Sequence, residues 1–106
     1  MTNETQLVLC TVPDESTARR IASTLVGEQL AACVNIVPGV TSVYRWKDAI
    51  ETAPELLLII KTTMGVYTRL QDRIHALHPY ELPEIIAVSI DRGLPDYLAW
   101  ITTSLK

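Results

Sequence analysis

The chain has 106 residues, 48% of them hydrophobic, with nine basic and twelve acidic side chains and a net charge of −3. That size and composition fit one domain over residues 1–106 with its own apolar core, and indicate neither a disordered nor a fibrous class. The basic residues are scattered, Arg19-Arg20 being the only adjacent pair, so neither nucleic acid nor an anionic membrane surface is expected as a partner.

Leu7-Val8-Leu9-Cys10-Thr11-Val12 is an apolar, β-branched run and reads as a strand. Pro13-Asp14-Glu15 ends it, with Asp14 placed as a helix N-cap and Glu15 near the positive end of the helix dipole. Ala18, Ile21, Ala22, Leu25 and Val26 recur at three- and four-residue spacing, an amphipathic helix that weakens at Gly27. Ala31 to Trp46 reads as extended chain bent at Pro38-Gly39, Lys47–Glu51 as a hairpin connection, and Glu55–Lys61 as the returning strand. Val66, Tyr67, Leu70, Ile74 and Leu77 mark a second amphipathic helix. His78-Pro79-Tyr80-Glu81-Leu82-Pro83-Glu84 follows it. The two prolines disfavour helical geometry at His78 and Leu82, so a stiff, extended loop carries an imidazole, a phenol and two carboxylates. Ile85–Ile90 reads as a strand, and Leu94, Tyr97, Leu98, Ile101 and Leu105 as a C-terminal helix with Pro95 in its opening turn.

Strand, helix, two strands, helix, strand is the split pattern of a ferredoxin-like sandwich. The expected class is α+β, a βαββαβ antiparallel sheet with an extra C-terminal helix. Helices in such a fold cover one face of the sheet, and a solvated second face would show a polar residue at every other position. Leu7–Cys10 and Leu56–Ile60 show none, so a partner subunit is the expected cover. The hairpin and the C-terminal helix of the same chain are the competing cover. No apolar run is long enough to span a bilayer. Met1–Gln6 lacks the basic region and apolar stretch of a secretory leader. Cys10 and Cys33 read as reduced thiols, so the expected compartment is the cytoplasm.

Cys10 and His78 can meet only through the fold. A thiolate with an imidazole suits copper or zinc, but two ligands do not close a structural zinc centre, and a lone strand cysteine also reads as a small core residue. His75 stands three residues before His78, yet Pro79 ends the helix there. Cys33 lies 23 residues from Cys10, a spacing that matches no metal signature. No glycine-rich phosphate cradle, nucleophile elbow or recognisable carboxylate pair is present, so no enzyme is expected. An acylphosphatase-type enzyme would need an anion cradle where Val12-Pro13-Asp14 stands. An RNA-binding variant would need aromatics on the central strands, and none lies around Leu9 or Leu58. Tyr44, Trp46 and Tyr80 remain as hairpin or loop aromatics, residues that mark interfaces and clefts. A ligand cleft lined by Trp46, Lys61, Tyr80 and Glu84 is expected beside the loop.

Several short segments run in a telling order: Cys10-Thr11 with Pro13-Asp14-Glu15, Leu30-Ala31-Ala32-Cys33-Val34-Asn35, and Pro38-Gly39-Val40-Thr41-Ser42 with Tyr44 and Trp46. Lys61-Thr62-Thr63, His78-Pro79-Tyr80 with Pro83-Glu84, and Asp96-Tyr97-Leu98 with Trp100 complete them. In these the chain resembles the CutA family of divalent-cation tolerance proteins along nearly its whole length. The resemblance implies a ferredoxin-like protomer in a tight homotrimer, similar in architecture to the PII nitrogen-signalling proteins. It also implies a role in tolerance to copper and other divalent ions, and it places the family's proposed copper ligands on Cys10 and His78. Copper or another divalent cation such as zinc is the cofactor expected, with no organic one. Two departures stand out. Some bacterial members carry a second histidine directly before the one matching His78, where this chain has Leu77, and Asp48-Ala49 replaces the glycine turn of many members. The function expected is a cytoplasmic, trimeric, non-catalytic protein of metal homeostasis that binds divalent ions weakly. A PII-like ligand sensor and an assembly scaffold without a physiological metal are the alternatives.

Overall fold

Alternation along the first strand decides the architecture. In the computed structural model, which describes residues 4–106, β1 (Thr5–Val12) turns Val8, Cys10 and Val12 to one face, where all three are fully buried. Leu7, Leu9 and Thr11 point to the other face, as the two-residue period of a strand requires. The part of the leader reading that falls on residues 1–3 lies outside the described residues.

β1 is central. It pairs antiparallel with β3 (Ala49–Thr63) from Thr5↔Thr63 to Val12↔Leu56, and with β4 (Ile86–Ser89) from Gln6↔Ser89 to Leu9↔Ile86. β2 (Cys33–Trp46) pairs with the other side of β3, giving the antiparallel order β2-β3-β1-β4. This is the ferredoxin-like arrangement that the element order predicts. α1 (Glu15–Gly27) and α2 (Tyr67–Leu77) supply Ala18, Ile21, Leu25, Leu70 and Ile74 to one core with Val8, Cys10, Leu58 and Ile60.

Local chemistry fixes the helix ends. The Thr17 N–H donates to Asp14 Oδ1 at 2.8 Å, and this bond holds the Asp14 carboxyl below the usual carboxylate range. At the end of α2, Arg20 Nη2 donates to the Leu77 carbonyl at 2.9 Å, tying the two helices together, while the Leu77 side chain packs against the core.

The bend expected at Pro38-Gly39 is a bulge inside one continuous strand. The β2–β3 register shifts between Val37 and Val40, and Gly39 has φ +80°, a conformation that costs glycine least. The hairpin differs from the sequence reading. Lys47 and Asp48 alone make the turn, at φ 51° and 66°, and β3 begins at Ala49 rather than Glu55. Two left-handed residues match the right-handed twist of the flanking strands, so the ribbon stays paired through polar sequence that carries no strand signature. Pro54 is tolerated in it because β1 has already ended, leaving β3 a partner on one side only. β4 is shorter than the Ile85–Ile90 expected, four residues that are all exposed.

The second face of the sheet is covered in part. α3 (Pro95–Thr103) lies against β1 and β3 with Ile101 fully buried, and Thr5 and Thr63 are buried at that end. Farther along, Val37, Ile86 and Val88 remain 38%, 51% and 50% exposed, and Val43 and Ile50 on the ribbon are more open still. Among the described residues no helix is long and apolar enough to cross a membrane.

The Asp14 cap has a readable pH signature. Its lowered carboxyl contributes stability above the unfolded-state value of about 4, and loses that contribution as pH falls through the lower folded-state value. Asp14→Ala should lower the urea midpoint at pH 7, and the gap between variant and parent should narrow steadily in the same titration below pH ~4.

Candidate functional site

The site forms at a corner of the sheet that the strand lengths create. β4 leaves β1 after Leu9 and β3 loses β1 after Leu56, so Thr11 and Glu55 lie where the ladder opens. The 78–84 loop fills the opening. Pro79 forces His78 out of the helix to φ −77°, ψ 135°, and the chain turns toward β1.

Two anchors hold the loop. His78 Nε2 lies 2.8 Å from the Thr11 carbonyl, and the Tyr80 N–H donates to His78 Nδ1 at 3.1 Å. A carbonyl only accepts and an N–H only donates, so the imidazole is the neutral form with its proton on Nε2. Tyr80 then packs its ring at a tilt of 51° against His78, with ring centroids 4.7 Å apart, and donates its hydroxyl to Glu55 Oε2 at 2.6 Å. Burial, followed by the bond to Glu55, pushes the Tyr80 phenol up, so the hydroxyl keeps its proton.

Cys10 sits beside this network. Its Sγ donates weakly to the same Thr11 carbonyl, at 3.8 Å, so the fold does bring Cys10 and His78 to one oxygen atom. Burial first, then the charges of Glu84 and Glu55, push the thiol up to about 12. At pH 7 the thiol therefore keeps its proton. Copper or zinc needs a thiolate and a free imidazole lone pair, and both imidazole nitrogens are committed to backbone partners. The pair does not fit a metal centre as arranged. Among the described residues, no three His, Cys, Asp or Glu side chains converge closely enough to hold an ion. His75 is exposed on α2, on the far side of the bend at His78.

In front of the loop lies a cleft of about 880 Å³ between it and the β2–β3 ribbon. Trp46, Tyr80 and Glu84 line it as expected. Lys61 does not. It lies farther along β3, where its ammonium donates to Asn35 Oδ1 and stands 3.7 Å from Cys33 Sγ. Tyr44, Glu55 and Glu81 line the cleft as well. Glu55 carries no local mark in the sequence beyond heading the apolar run Leu56–Ile60, and its partner Tyr80 is 25 residues away. Alternation places Ser42, Tyr44 and Trp46 on one face of the ribbon, the signal that could have completed the wall.

Comparison with known proteins places this geometry in a family. Residues 6–104 match the CutA1 family, described as CutA1 divalent ion tolerance protein. The divalent-cation tolerance protein CutA of Thermus thermophilus is 53% identical over 96 residues, 91% of this chain and 93% of that protein. The crystal structure of CutA1 from Oryza sativa superposes with a TM-score of 0.96 at 42% identity, covering 99% of this chain and 96% of that one. A protein of Archaeoglobus fulgidus, described as the periplasmic divalent cation tolerance protein CutA, gives 0.93 at 37% identity, covering 96% and 99% of the two chains. With the family's sequence matched over residues 6–104 and its fold superposing over nearly the whole chain, this chain belongs to the CutA1 family of divalent-ion tolerance proteins.

Proposed function

We propose that this protein serves in divalent-cation tolerance as a non-catalytic, cytoplasmic homotrimer whose responsive element is the cleft between the ribbon and the 78–84 loop. One observation carries the reading: among the described residues, Glu55, Glu81 and Glu84 are the charged side chains lining that cleft, and all three are carboxylates. Carboxylate oxygens attract divalent cations, and donors that do not converge hold them weakly. Cys10 and His78 act beneath the cleft as core and anchor, not as ligands. The cytoplasmic assignment rests on the composition of the chain, and the periplasmic relative from Archaeoglobus fulgidus is the reason to test it by fractionation.

The half-covered sheet supports the oligomer. Ile86 and Val88 form an open apolar edge strand, an arrangement that single chains avoid. The number three is what the family resemblance implies. Sedimentation should give a mass near three protomers, and Val88→Glu should shift it toward one while lowering the melting temperature. A folded monomer of 11.8 kDa in the parent protein would refute the assembly.

Metal titration separates the cleft from the Cys10–His78 pair. Calorimetry with Cu(II) and with Zn(II) should show weak binding that falls markedly in the double variant Glu55→Gln, Glu84→Gln. His78→Ala should leave affinity unchanged while costing about 1–3 kcal/mol of stability, because it strands the Thr11 carbonyl and the Tyr80 N–H. Loss of binding in His78→Ala with none in the double variant would return the site to the histidine. No binding in any form would favour an assembly scaffold.

A further inference from the structure

We propose that the cleft recognises an organic polycation, a linear aliphatic polyamine, in preference to a bare metal ion. The proposal rests on the reading of this cleft as the ligand site. Among the described residues its lining carries Glu55, Glu81 and Glu84 and no lysine, arginine or histidine, with Lys47 the cation standing beside it at Trp46. Its walls are aromatic, formed by Tyr44, Trp46 and Tyr80. Aromatic faces beside carboxylates attract an ammonium group through the ring quadrupole as well as through charge.

Two details of the structure sharpen the match. Tyr80 is fixed before any ligand arrives, by its hydroxyl bond to Glu55 and its packing on His78, so that wall costs little to order. Trp46 has an ammonium at the outer edge of its reach, since Lys47 Nζ stands 5.9 Å from its ring centroid, and a ligand ammonium would take the place of that exposed, mobile-stemmed cation. A small divalent ion gains nothing from such walls. It is strongly hydrated and needs several oxygens converging at coordination distance, and no group of three such donors converges among the described residues. A polyamine uses both parts of the lining: its ammonium groups meet the rings and carboxylates, while its methylene stem covers apolar lining such as Leu82 and Pro79. A cleft of about 880 Å³ falls in the range that holds a small organic ligand.

Spermidine is the probe, titrated at low ionic strength into the intact oligomer carrying Trp100→Phe, so that Trp46 is the only indole. A saturable change in Trp46 fluorescence with matching calorimetric heat is expected, with none for the neutral 1,8-octanediol. Trp46→Ala and Glu84→Gln, checked for unchanged circular dichroism and sedimentation, should each weaken spermidine binding about tenfold by calorimetry. The absence of saturable binding would overturn the proposal. So would spermidine binding indifferent to both substitutions, or full competition by Mg(II) at equal charge concentration. If spermidine fails while Cu(II) or Zn(II) binding still depends on Glu55 and Glu84, this inference alone falls. If both dependences vanish, the cleft is not the ligand site and both readings fall.

Discussion

The register of β1 against β3, running without a shift from Thr5↔Thr63 to Val12↔Leu56, sets the positions on which the rest of the molecule depends. A slip of one residue would turn Leu9 and Thr11 into the core and bring Val8, Cys10 and Val12 out to the other face. The same register decides where the ladder ends. Because pairing stops at Leu56, Glu55 is the first residue of β3 beyond the reach of β1, and the loop after α2 can enter beside it. The corner that hosts the site is thus a by-product of unequal strand lengths.

Chemistry at that corner is governed by which lone pairs are already spent. Cys10, His78 and Thr11 lie together, and residue types alone would describe a soft metal site. The backbone has taken the imidazole first, on both nitrogens, and burial keeps the thiol protonated. What these residues provide is a stiff foundation under the loop, whose outward side carries Tyr80, Glu81 and Glu84 to the solvent-facing cleft. The leucine before His78 follows the same logic, since its side chain packs into the core while its carbonyl receives Arg20.

Much of this was legible in the sequence, for definite reasons. Apolar periodicity located every helix and the central strands, because those elements are amphipathic or fully buried and their patterns are long. Asp14 announced its cap, and Pro38-Gly39 its bend, since each needs a particular residue type at a particular backbone conformation. Lys47–Glu51 reads as a hairpin connection although Ala49 to Glu51 already pair as strand, because the β3 arm of the ribbon is held by backbone pairing and has no core side to imprint an apolar alternation. Within the site, Trp46, Tyr80 and Glu84 were visible as unusual residues in stiff or exposed segments. Glu55 was not, because its role depends on where a neighbouring strand stops. Lys61 is expected in the cleft but lies away from it, because its distance along β3 separates it from the loop and its ammonium turns to Asn35.

The order of the strands also bears on how the molecule comes into being. Among the described strands the central one comes earliest in the chain, and its two neighbours lie about 45 and 80 residues later, as the pairs Val12↔Leu56 and Gln6↔Ser89 show. Contacts so distant in sequence are slow to close, since most of the chain must lose its freedom before they form. Until β3 has been made, the apolar run Leu7–Val12 has no strand to pair with on either side, and until β4 follows it is paired on one side only. The sheet is therefore completed only once β4 has joined, and until then an apolar strand edge stays open, the kind of surface through which partly folded chains aggregate.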